Sequence, residues 1–279
     1  MKSYQRRILL VSMLLALVGG CSSLSRQPTV ELTDIDNGTP LHIVSVVVGE
    51  ATVSHSAPKA KGWFAKINSK KSSKASEPAP SEMIHEQTPL QSALSGVDLG
   101  QVMIYELNAS FRKGKPFDVQ NIHGPGQPVQ DVGKYFDSVP ENALLALNTR
   151  YRFAEETQIL VVETDAELYV KSGSGKGKSR AKPVYTNRII AQLDMAGTPE
   201  NGWAKAVQQS MQMGLKEVAQ LVAMDLGVAQ RWESQSEKQT WTSAESGKKL
   251  KGFQVQRHDG RIIIRLNNGE LVSLPKDKS

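Results

Sequence analysis

Cysteine is nearly absent from this 279-residue chain: Cys21 is the only one. No disulfide can close within the molecule, so the fold has to rest on a buried core. Beyond the first 20 residues there is no apolar run long enough to cross a bilayer as a helix, which takes about 20 residues. The five histidines, His42, His55, His85, His123 and His258, show no i,i+4 pair and no H-E-x-x-H, which argues against a built metal site. His123 alone sits on a glycine-rich stretch, NIHGPGQP. No G-x-S-x-G elbow is present, and nothing else points to nucleophilic catalysis. The glycine-rich stretch YVKSGSGKGKSRAKPVY (169–185) ends its glycine run in Gly177, Lys178 and Ser179. A phosphate-cradling loop reads G-x-x-x-x-G-K-[ST], but Ser172 stands five places before Gly177, and a Pro183-led alternating run follows where a helix is required.

The N-terminus is distinctive. Lys2, Arg6 and Arg7 precede the apolar run ILLVSMLLALVGG (8–20), the layout of a secretory signal and too short to span comfortably. The run closes on Val18, Gly19, Gly20 and Cys21. These residues resemble the lipobox of bacterial lipoprotein precursors, with valine at the position usually held by leucine. The resemblance covers residues 1–21. It implies cleavage before Cys21, a diacylglycerol thioether on its sulfur and acylation of the new amino terminus. Ser22, in place of aspartate, implies the outer membrane, where the lipid-anchored chain hangs in the periplasm or faces outward, the periplasmic face being the expected one. Apart from that covalent lipid no cofactor is expected. Several acyl chains meet the physical need for more than one anchoring signal.

Acidic residues are missing from two stretches. Residues 57–75 contain Lys59, Lys61, Lys66, Lys70, Lys71 and Lys74, and residues 171–182 contain Lys171, Lys176, Lys178, Arg180 and Lys182. The formal charge of +6 therefore belongs to the signal and these two stretches, while the remainder is acidic. Such segregation suits contact with an anionic envelope polymer such as lipopolysaccharide or peptidoglycan. Nucleic acid would fit the charge but not the expected address.

The expected fold is α+β, an antiparallel long-stranded sheet backed by a long helix. After a tether at 21–28, a periplasmic domain spans 29–229, with residues 51–90 a flexible basic insertion rich in Lys, Ser, Ala and Pro. LHIVSVVVG (41–49) reads as a buried strand, and MIYELNASF (103–111) alternates as a half-buried one. A short helix is expected within 130–144. Runs 144–153, 157–170 and 183–195 form an antiparallel meander. With a turn at Ala154–Glu156, Arg150 faces Val161 and Asn148 faces Glu163; in the next hairpin Leu168 faces Tyr185 and Asp165 faces Arg188. The carboxylates Glu163, Asp165 and Glu167 then share one face, where arginines offer ion-pair partners and acid–base chemistry is the competing use.

Thr198 and Pro199 open a helix to residue 226, with Trp203, Val207, Met211, Leu215, Val218, Val222 and Leu226 on its buried face and Gly227 as terminator. The Met211/Met213 pair reads as core gap-filling. A polar linker (230–252) leads to a three-stranded meander (253–279) with turns at Asp259–Gly260 and Asn268–Gly269. Three strands that short must dock on the body or a partner. With no catalytic constellation, a non-enzymatic accessory of an envelope complex is the expected role. A protein partner or self-assembly is then implied.

Overall fold

The computed structural model describes residues 35, 38–49, 89–111, 117–125, 129, 131–154, 156–171, 183–195, 202–228, 237–258 and 260–276. Nine strands form one mixed sheet in the order β2-β1-β3-β4-β5-β9-β8-β7-β6. The strands are β1 (Thr39–Gly49), β2 (Phe117–His123), β3 (Ala143–Ala154), β4 (Ile159–Val170), β5 (Tyr185–Asp194), β6 (Lys238–Thr242), β7 (Lys249–His258), β8 (Arg261–Leu266) and β9 (Leu271–Pro275). The helices are α1 (Pro89–Ala93), α2 (Leu99–Phe111), α3 (Val132–Ser138) and α4 (Trp203–Val228). Most pairings are antiparallel, but β1 runs parallel to both β2 and β3, and β9 runs parallel to β5. The sheet is thus mixed, because helical crossovers separate β1 from its neighbours in the chain.

Alternation divides β3–β5 into two faces. The inner face carries Leu160, Val162, Ala166 and Leu168 with Tyr185, Ile189, Ala191 and Leu193, all buried in the main core. The register of β4 with β5 is the expected one, Leu168 opposite Tyr185 and Asp165 opposite Arg188. The β3–β4 register differs by two residues: Arg150 lies opposite Glu163 and Asn148 opposite Asp165. The reason is the turn. Ala154 pairs with Ile159, and Gln158 adopts φ 54, so the connection is longer than Ala154–Glu156. An even slip preserves the faces and changes only the partners.

Residues 103–111 are helical, not extended. Met103, Leu107 and Phe111 are buried at every fourth position, whereas Tyr105 is 71% exposed. Asp98 caps this helix, its Oδ1 accepting from the Gln101 amide at 3.0 Å. Helices α2 and α4 pack side by side over the inner face, with α1 against α4. Val207, Met211, Leu215, Val218, Val222 and Leu226 of α4 are buried as expected, and the helix runs one residue past Gly227. Met213 is 59% exposed, so only Met211 fills core space. Thr198 and Pro199 lie outside the described residues.

The expected linker is also corrected: residues 238–242 form β6, and β7 begins at Lys249, so the C-terminal meander has four strands. Its turns fall where the Asp-Gly and Asn-Gly dipeptides placed them. Gly260 (φ 73) and Gly269 (φ 88) take the left-handed conformation that such hairpins require. The meander docks by edge pairing of β9 with β5 and by sinking Ile263 and Leu271 into the main core. Full burial of such side chains contributes about 1.5–3 kcal/mol each. Two carboxylates of α4 fix the same joint. Glu217 accepts from the Ser273 hydroxyl at 2.5 Å and from Arg261 at 3.3 Å, and Asp225 forms a buried ion pair with Arg265.

Candidate functional site

The outer face of β3–β5 concentrates the described polar chemistry. Side chains at alternate positions bring Asn148, Arg150 and Arg152 of β3 beside Glu163, Asp165 and Glu167 of β4 and Arg188 of β5. Glu163 is the hub. It lies within 2.7 Å of Arg150, 3.3 Å of Arg152 and 3.1 Å of Arg188. Asp165 accepts from Arg150 at 2.8 Å and from Arg188 at 3.1 Å. The β6–β7 turn reaches over this face and adds Glu245, which accepts two bonds from Arg152 at 2.6 and 2.8 Å. The Glu245 amide is held in turn by Gln192, at 3.2 Å.

Burial alone would lower the Arg188 guanidinium; the charges of Glu163 and Asp165 outweigh it and hold the group above its ordinary value. Arg152 behaves likewise, with Glu245 as the larger counter-charge and Glu163 the smaller. Three arginines thus face Glu163, Asp165 and Glu245, each of these carboxylates engaged by at least one arginine, while Glu167 accepts from the Tyr169 hydroxyl. This geometry locks the sheet to the β6–β7 turn.

Next to this network, α3 covers the outer face and leaves a groove. Asp131 caps α3, its Oδ1 accepting from the Lys134 amide at 3.0 Å, and Phe136 packs with Val44, Leu144, Ala146 and Tyr169. The groove is a narrow cleft with a cavity volume of about 20 Å³, lined by Val44, Val46, Val129, Val132, Leu144 and Ala146 among others. Its polar lining includes Asn148, Asp165 and Glu167. Asn148 is 4% exposed, and among the described residues neither its Oδ1 nor its Nδ2 has a hydrogen-bond partner. At the other side of α3, buried His42 meets the Tyr135 hydroxyl at 3.1 Å and Glu141 at 3.5 Å.

Of the basic residues singled out by sequence, Lys171 is described. Its ammonium donates to the Val139 carbonyl at 2.5 Å and stands 5.2 Å from the Phe136 ring centre, so it caps the end of α3. Cys21, Lys59, Lys61, Lys66, Lys70, Lys71, Lys74, Lys176, Lys178, Arg180 and Lys182 lie outside the described residues. His123 ends β2 on its exposed edge, and the structure does not bring it to the carboxylates. Sequence reasoning missed the Asn148 groove and the His42–Tyr135–Glu141 contact. Asn148 did carry a signal, an amide within the otherwise apolar run ALLALN.

Among the described residues, no three His, Cys, Asp or Glu side chains cluster to hold a metal. Nor is any described helix long and apolar enough to cross a membrane. No family model matches the chain, and no curated protein matches it. The class defined is that of a mixed α/β protein with a nine-stranded, mostly antiparallel sheet.

Proposed function

We propose that this chain is a lipoprotein anchored to the bacterial outer membrane through Cys21, facing the periplasm and serving as a non-enzymatic accessory or assembly component of an envelope complex. Export, surface-appendage and polymer-secretion machines are the settings that suit it. The observation that carries this reading is the sequence of Lys2, Arg6 and Arg7, an apolar run, and Val18-Gly19-Gly20-Cys21. The pairing of Glu163, Asp165 and Glu245 with arginines supports a structural use of these carboxylates. The test is mass spectrometry of the intact protein made in a Gram-negative host. Loss of residues 1–20 with a mass gain on Cys21 equal to a diacylglyceryl group plus one acyl chain is expected, and a C21A variant should remain unprocessed. An unmodified cysteine in the exported protein would refute the anchor. Crosslinking in intact cells should then recover one recurrent protein partner, or a second copy of the chain.

A second reading rests on a separate observation, the segregation of eleven basic residues into 57–75 and 171–182. In this reading the chain binds lipopolysaccharide or peptidoglycan through residues such as Lys66, Lys70, Lys71, Lys74, Lys176, Lys178, Arg180 and Lys182. Replacing those eight with glutamine should abolish salt-sensitive binding to purified polymer. Binding that persists would remove this reading.

A further inference from the structure

We infer that the end of the sheet where β1, β2, β3 and β5 begin and β4 ends is the surface this chain lays against anionic phospholipid headgroups of the membrane that holds it. The inference rests on the lipid-anchor reading and adds an orientation to it. Strand register defines that end. Thr39 pairs with Phe117, Leu41 with Ala143, Ala143 with Val170 and Leu168 with Tyr185. Among the connections gathered there are the chain from Cys21 to β1, the α2–β2 connection RKGKP (112–116) and the β4–β5 connection KSGSGKGKSRAKPV (171–184). The stem of the last is fixed to the sheet. The Lys171 amide donates to the Asn142 carbonyl at 2.8 Å, and the Val184 amide donates to the Leu168 carbonyl at 2.7 Å.

Charge selects the partner. Segments 112–116 and 171–184 together hold eight basic residues and no acidic one. Against them stand Glu31, Asp34 and Asp36 ahead of β1, with Asp118, Glu270 and Glu141, the last of which lies 3.5 Å from His42. The balance at this end is positive, as an anionic leaflet requires. The opposite end differs. β3 and β4 are joined there through Glu155 and Glu156, and β5 ends on Asp194. The other basic stretch, 57–75, leaves from that opposite end, since Gly49 pairs with Tyr151. It returns to α1, whose Ala93 carbonyl accepts from Gln208 near the start of α4 at 2.9 Å. β4, with 12 residues, separates the two ends by roughly 35–40 Å at 3.3 Å per residue. Screening in physiological salt acts over about 8 Å, so a leaflet touching one end is not felt at the other. The link to Cys21 does not orient the domain by itself, because residues 22–38 fully extended reach about 60 Å. The link holds the chain near the leaflet, and the charge decides which end meets it.

The experiment uses the acylated mature chain in vesicles of phosphatidylethanolamine and phosphatidylglycerol that carry a headgroup nitroxide lipid. With the sulfur of Cys21 taken by the lipid, an introduced cysteine is the one free thiol for a fluorophore. N142C and P183C mark the end assigned to the membrane, and E156C and D194C mark the other; all four positions are exposed. Labels at the first pair should lose fluorescence to the nitroxide, and labels at the second pair should keep it. The contrast should collapse in phosphatidylcholine vesicles, and also in 1 M salt, where the screening length is about 3 Å. Equal quenching at all four sites, stronger quenching at E156C and D194C, or a contrast unchanged in phosphatidylcholine would overturn the inference. Any of these results with Cys21 acylated leaves the anchor standing. If the cell leaves Cys21 unmodified the anchor reading fails, and the same four sites are then read with residues 1–21 replaced by a histidine tag held on a nickel-chelating lipid, where the same outcomes decide.

Discussion

Substituting Asp225 with asparagine should cost more than any other single change at the joint between α4 and the meander. Asp225 is 0% exposed and accepts from the Tyr185 hydroxyl at 2.5 Å and from Asn187 at 2.6 Å while pairing with Arg265. Arg265 is itself only 4% exposed, and it also donates to the Gly269 carbonyl at 3.2 Å. D225N therefore removes the carboxylate charge that the buried guanidinium meets directly. Breaking a buried pair from one side typically costs about 3–5 kcal/mol, whereas replacing both partners with apolar groups is often neutral. The assay is urea unfolding of the full chain followed by circular dichroism. With a slope of roughly 2–3 kcal/mol per molar, the midpoint should fall by about 1–2 M at unchanged slope. Adding R265M to D225N should recover most of that loss. A single-variant cost below about 1 kcal/mol, or additivity of the two within about 0.5 kcal/mol, would refute the argument that the pair is coupled in the interior.

Gly214 lies where α4 crosses the sheet, and a Cβ there would stand 2.6 Å from Val162 Cγ2 and 3.0 Å from Leu193 Cδ1. G214A should therefore destabilise the protein by about 1–3 kcal/mol despite alanine's better helix propensity, and V162A in the same chain should relieve part of it, as measured by thermal unfolding. Alkaline stability supplies another check. The Tyr185 hydroxyl is pushed well above its ordinary value, first by burial, then by the Asp225 charge and the bond to it. Burial displaces Tyr135, Tyr151 and Tyr169 in the same direction. Because each folded-state pKa lies above the unfolded one, their contribution to stability is complete below about pH 10 and is lost as pH rises through the folded values. Near-ultraviolet titration should show these four of the six tyrosines ionising late or only on unfolding, and Y185F should flatten the fall in stability.

Strands β3, β4 and β5 were legible because each face repeats with period two, and that pattern survives any even error in register. The identity of cross-strand partners was not equally legible, since it hangs on turn length. A connection two residues longer than expected moved Arg150 from Val161 to Glu163. Residues 103–111 were misread for a related reason. Met103, Leu107 and Phe111 satisfy a period of two as well as a helical repeat of four, and Tyr105 appeared to complete the strand face. The spacing of Asp98 to Gln101 was the discriminating signal, a capping carboxylate three residues before the backbone amide that donates to it. β6 was hidden by composition: KQTWT is polar because it is an edge, and its one apolar anchor, Trp241, is buried against Ile262, Ile264, Val272 and Leu274. The outer-face ion network was half visible through Asp165 and Arg188. The contribution of Glu245, 93 residues from Arg152 in sequence, was not, because it depends on how the sheet curls.

The place of β9 sets the order in which this molecule can be completed. The strand lies between β5 and β8, yet its residues, Leu271–Pro275, follow those of the other eight described strands in sequence. Until they are present, β5 is an open edge, and the hairpin of β7 and β8 is held to the body by side-chain contacts such as Arg265–Asp225 and Arg261–Glu217 without strand pairing. Assembly from a growing or threading chain is therefore held open at the centre of the sheet until β9 pairs with β5. Such long-range closure is slow, and it leaves a sticky backbone edge unpaired in the meantime.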